Sequence, residues 1–157
     1  MNKKGVSMII FVISLAMVLI LVTAITTSYN VIINATRMRE FANELNMMQK
    51  TVDEYFFLNG EYPQRGEYTL DLNIVNSSVK DSQFGSGIDY MDFYIIDLAK
   101  LGIDKLNRGT SNIVNDNSLD VYAISKDNGK VYYLEGVKID KTWYYTLTDK
   151  LREKLKI

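Results

Sequence analysis

The feature that most constrains this chain is an absence of charge. After Lys3 and Lys4 the next charged side chain is Arg37, so residues 5 to 36 form a run of 32 positions without Asp, Glu, Lys or Arg. Within it, Val6 to Val22 carries only Ser7 and Ser14 as polar residues. Roughly 20 apolar residues are enough for a helix to cross about 30 Å of hydrocarbon, and Val6 to Ile25 meets that length. A backbone placed in lipid must satisfy its own hydrogen bonds, so the run is expected to be helical. Lys3 and Lys4 would hold the short tail on the cytoplasmic side. Three readings of the segment stand side by side: a cleavable secretory signal, a plain signal anchor carrying a small extracytoplasmic binding domain, and a processed leader. The first wants a shorter apolar core and a small-x-small site, for which Val22-Thr23-Ala24 is a poor match.

A second pattern begins where the charge-free run ends. Met38, Phe41, Leu45, Met48, Val52 and Tyr55 follow at spacings of three and four, which is one apolar stripe along a helix. Arg39, Glu40, Asn43, Glu44, Asn46, Gln49, Lys50, Asp53 and Glu54 occupy the other faces. No Gly or Pro interrupts residues 6 to 58, and Asn59-Gly60 followed by Pro63 supplies a stop. The pattern predicts one long helix, apolar all round in its first half and amphipathic in its second. Hydroxyl and β-branched residues at Thr23 to Ser28 mark a weak stretch within it.

The stripe needs a surface to cover, and the remaining hundred or so residues read as a sheet. Tyr68, Leu70, Leu72 and Ile74 alternate with polar residues, and Val121, Ala123 and Ser125 alternate with Tyr122 and Ile124 in a second strand. Asp127-Asn128-Gly129 predicts a hairpin turn, Val131 to Leu134 a returning strand, and Lys141 to Leu147 a third strand after a tight connection near Asp140. Asp97 to Leu101 is expected to form a helical turn ended by Gly102, and Thr148 to cap a short terminal helix. The aromatic residues Tyr122, Tyr132, Tyr133, Trp143, Tyr144 and Tyr145 are read as core filling on these strands. The fold class expected is therefore α+β.

Composition narrows the function. The chain has no histidine and no cysteine, which excludes His-based triads, His or Cys zinc sites, thiol chemistry and disulfides. Lys plus Arg number 18 and Asp plus Glu 19, a balance that argues against nucleic-acid binding. Carboxylates are plentiful, but no spacing selects a catalytic pair. Asp116, Asn117, Ser118 and Asp120 form an oxygen-rich loop that lacks the glycine and glutamate of an EF-hand and is read as solvated. No enzyme activity, cofactor or metal is expected.

The segment Lys3-Lys4-Gly5, then Val6-Ser7-Met8-Ile9-Ile10 and the apolar run, resembles the start of type IV pilins and of type II secretion pseudopilins. The resemblance implies cleavage by a prepilin peptidase between Gly5 and Val6 and methylation of Val6. It implies a pilin-like fold, with a helix half in the membrane and half packed on a small antiparallel sheet, and Asp97 to Gly102 as the turn between the two. Residues 1–5 would be the leader, 6–29 the transmembrane helix, 30–58 its amphipathic continuation and 59–157 the sheet domain. The partners implied are other pilin-like subunits, met through the N-terminal helix, the peptidase, an inner-membrane assembly platform and the lipid bilayer. The place implied is the bacterial cytoplasmic membrane, then a cell-surface fibre. The chain departs from the family pattern at the first and fifth mature positions, which hold Val6 and Ile10 where phenylalanine and glutamate are usual. The missing acid implies a minor or initiating subunit rather than the main one.

Overall fold

The structure is a computed structural model that describes residues 3–104, 106–111, 114 and 118–155; the side chains of residues 3–7, 9, 10, 24–28 and 154 are not among those described. The elements in chain order are α1 (Lys3–Asn59), β1 (Gln64–Asp71), α2 (Ser77–Gln83), β2 (Tyr90–Ile96), β3 (Tyr122–Ser125), β4 (Val131–Ile139), β5 (Thr142–Thr146) and α3 (Asp149–Leu155). The chain divides into two compact units, Met1–Arg37 and Met38–Ile157.

In the first unit the described side chains of α1 are predominantly apolar and exposed, apart from the half-buried Ile33 and Asn34. Thr23 is accommodated by donating its hydroxyl back to the carbonyls of Leu19 and Ile20, at 2.8 and 2.9 Å. The sequence predicts a pilin-like helix whose first half crosses a membrane, and this expectation is corrected. Among the described residues no helix is long and apolar enough to cross a membrane. Past Arg37 the helix carries charge on most turns. An α+β class remains compatible with the sheet and its helices.

In the second unit the five strands lie in the order β1-β2-β3-β4-β5, each antiparallel to the next. The β3–β4 and β4–β5 connections are short, whereas the β1–β2 connection carries α2 and the β2–β3 connection runs over residues 97–121. The β3–β4 turn closes as its residues predict. Gly129 takes φ +68°, and its N–H donates to the Ser125 carbonyl at 2.9 Å. The two faces of the sheet bury different residues. One carries Ile96, Tyr122, Ile124, Val131 and Tyr133 beneath the charged half of α1. The other carries Leu70, Phe93, Ala123, Tyr132, Leu134 and Tyr145, covered by Val79 and Phe84 from the region of α2.

Several elements differ from their expected bounds. β1 starts earlier than Tyr68 and ends at Asp71, because the Asp71 carboxylate accepts the Asn73 N–H at 2.9 Å and turns the chain there. β4 continues past Leu134 to Ile139 through Gly136 at φ +72°. The pairing of β4 with β5 shifts register between Tyr132 and Val137, and this bulge interrupts the alternation that periodicity reads. β2 and α2 have no counterpart among the expected elements.

Candidate functional site

The stripe of α1 lies against the sheet. Met38, Phe41, Leu45, Met48 and Val52 are 5% exposed or less, and Tyr55 is half-buried. Ala42, outside the stripe, is fully buried beside Met38, Ile139 and Leu151. Phe41 meets Tyr133 edge to face, with ring centroids 6.1 Å apart.

Two residues assigned to the polar faces belong to this contact instead. Glu44 is buried, and its Oε2 accepts a bond from the Arg108 guanidinium at 2.9 Å. The same guanidinium lies over the Phe41 ring, 5.5 Å from its centroid. Gln49 uses both ends of its amide on the β3–β4 hairpin, accepting from the Val131 N–H at 2.8 Å and donating to the Gly129 carbonyl at 3.1 Å. Neither role is visible to periodicity, since both partners lie far along the chain.

A polar knot sits next to the Glu44–Arg108 pair. The Asp120 carboxylate accepts from the Gly109 N–H at 2.6 Å, the Thr110 hydroxyl at 2.5 Å and the Tyr133 hydroxyl at 2.9 Å. Burial pushes the Asp120 carboxyl up, but these hydrogen bonds outweigh it and hold the group below the ordinary carboxylate value. Tyr133 also lies 2.9 Å from Glu135 Oε2, so its single proton serves one of two carboxylates at a time. Burial first, and then those two carboxylates, push the Tyr133 hydroxyl up. Gly109 takes φ +65°, and a Cβ there would strike the Tyr122 ring. Among the described residues, Glu44 Oε1 and the Tyr122 hydroxyl are buried without a hydrogen-bond partner. Burial and then the Glu44 charge push Tyr122 up.

These groups tie the chain segment before β3 to α1 and to β4. Asp116 and Asn117 lie outside the described residues, and Ser118 Oγ accepts the Asp120 N–H at 3.1 Å. Among the described residues no group of three or more acidic side chains is placed to hold a metal ion. The aromatic set divides between the two sheet faces. Tyr122, Tyr132, Tyr133 and Tyr145 are buried, and Trp143 and Tyr144 half-buried.

The remaining candidate surface is the first unit. Phe11, Val12, Ile13, Leu15, Met17, Val18, Leu19, Ile20, Leu21 and Val22 are each between 50% and 68% exposed. Tyr29, Val31 and Ile32 continue the exposed apolar surface. The side chains of Gly5, Val6 and Ile10, at the expected processing site and fifth mature position, lie outside those described. Comparison of the chain with protein-family models, with curated proteins and with solved structures returned no match.

Proposed function

We propose that this chain is a structural subunit of a type IV pilin-like fibre or secretion pseudopilus, and that it works by assembly rather than by turnover. The observation that supports this is the apolar surface of α1 from Phe11 to Val22, every large side chain of which is at least half exposed. Exposed apolar patches of that extent mark a surface built to be covered. Copies of the same helix offer matching apolar cover, and burial at about 25 cal/mol per Å² makes such a helix bundle favourable. The Lys3-Lys4-Gly5 leader pattern supports the same reading, with a prepilin peptidase cutting between Gly5 and Val6.

The absence of an acid at Ile10 assigns the chain a minor or initiating place within the assembly. A carboxylate there would offer a counter-charge to a neighbour's amino terminus, whereas Ile10 offers only apolar contact. The deciding experiment is intact-mass analysis of the chain recovered from sheared surface fibres of its native cells. A mature chain beginning at Val6 in those fibres is the expected result. A chain that keeps Met1, or that is absent from the fibres, overturns the proposal.

A further inference from the structure

We infer that the Phe57–Leu58 pair at the end of α1 seats in the Trp143–Tyr145 cleft of a second copy, joining copies head to tail; the inference rests on the assembly reading above. Phe57 is 87% exposed and Leu58 79%, the two most exposed large apolar side chains among those described. They end the helix that packs on the sheet face of Tyr122 and Tyr133. The cleft, of 290 Å³, is lined by Ile74, Leu119, Leu134, Trp143 and Tyr145, with Glu135 among them. Trp143 and Tyr145 are stacked with ring centroids 6.2 Å apart. Both belong to the core on the opposite sheet face, while Tyr144 between them packs on the α1 side. The knob and the cleft therefore lie on opposite faces of one sheet. A knob that fits a hole elsewhere on the same molecule makes a heterologous contact, which propagates instead of closing into a dimer.

Charge points to the same occupant. Phe57 shares a groove with Arg152, Lys50, Asp53 and Glu54. Lys50 pairs with Glu54 at 3.9 Å, and Asp53 accepts from Gln49 at 2.9 Å. Among the described residues Arg152 has no carboxylate partner, and the exposed Glu135 of the cleft offers one. Two seated side chains bury on the order of 300 Å², well under the roughly 800 Å² per partner of a stable pair. The contact is thus too small to hold free copies together, and it forms where the N-terminal helices already hold them side by side.

The chain has no cysteine, so introduced thiols report alone. Full-length chain carrying both Leu58→Cys and Ile74→Cys, expressed in its native cells and oxidised after assembly, is expected to give a ladder of dimers, trimers and higher multiples. Neither single variant gives one, and adding Phe57→Asp to the double variant abolishes it. A dimer from Leu58→Cys alone means knob meets knob and overturns the inference. So does a cross-link from Ile74→Cys to a different protein, or no ladder at all. Sheared fibres from the same cells separate the two readings. If the chain is present in fibres without a ladder, the head-to-tail contact fails alone; if it is absent from fibres and no ladder forms, both readings fail.

Discussion

The side chain of Gln83 pairs with the backbone of Tyr145 as a neighbouring strand would. Gln83 Oε1 accepts the Tyr145 N–H at 2.8 Å, and Gln83 Nε2 donates to the Trp143 carbonyl at 2.7 Å. The Gln83 carbonyl in turn accepts from the Tyr132 hydroxyl at 2.9 Å. β5 is the last strand of the sheet, and an uncovered edge invites pairing with other chains. Gln83, brought by α2, closes part of that edge. Replacing it by Leu keeps the volume but strands two backbone groups that are now satisfied. Gln83→Leu is expected to cost about 2–4 kcal/mol, since each buried group left unpaired costs about 1–3 kcal/mol. Equilibrium unfolding in urea measures it, and a midpoint equal to the parent's means that water replaces the amide.

The buried stripe makes a sharper demand. Phe41 and Leu45 are 0% and 1% exposed against the sheet. An aspartate at either position would bury an unpaired charge, so Phe41→Asp or Leu45→Asp is expected to destabilise the second unit by at least about 4 kcal/mol. The corresponding change at Asn43, which is exposed on the same helix, is expected to stay within about 0.5 kcal/mol. A fragment of residues 38–157 is the natural material, since that span forms one compact unit. Failure of the parent fragment to give a cooperative unfolding transition would show that it needs the preceding helix.

The Glu44–Arg108 pair is expected to be asymmetric to mutation. Arg108→Leu leaves the Glu44 carboxylate buried without a cation and is expected to cost about 3–5 kcal/mol. Replacing both, as Glu44→Leu with Arg108→Leu, removes the charges together and is expected to recover most of the loss. A double-mutant cycle followed by thermal unfolding checks this, and additive losses would rule out direct coupling between the two groups.

The pH dependence has a definite sign at Asp120. Its folded value lies below the ordinary carboxylate range, while an unfolded chain titrates normally. The unfolded state therefore takes up the proton first as pH falls. Stability from this group is full above the unfolded pKa and is lost as pH falls through the lower folded value. Asp120→Asn is expected to flatten this acid-side loss and to cost about 1–2 kcal/mol at neutral pH. Urea midpoints across the acid range, read for parent and variant, test both effects; parallel curves would place the acid sensitivity elsewhere.

What was legible in the sequence is what neighbours along the chain decide. Six apolar residues at spacings of three and four mark the face of α1 because a helix repeats every 3.6 residues whatever it packs against. Asp127-Asn128-Gly129 marks the β3–β4 turn because Gly129 adopts a positive φ at little cost. The length of the charge-free run was just as plain, yet the membrane-spanning helix drawn from it is the expectation corrected here. Tertiary structure alone decided the rest. Glu44 and Gln49 read as solvent-facing, because helical periodicity cannot see a guanidinium 64 residues away or a hairpin more than 80 residues on. Gln83 read as nothing in particular, since its partners on β5 are about 60 residues distant. Asp120 read as part of a solvated loop and instead gathers Gly109, Thr110 and Tyr133 around one carboxylate. A buried polar group must find its partner wherever the fold brings one within reach, and that distance is set by the packing of the sheet, not by position in the chain.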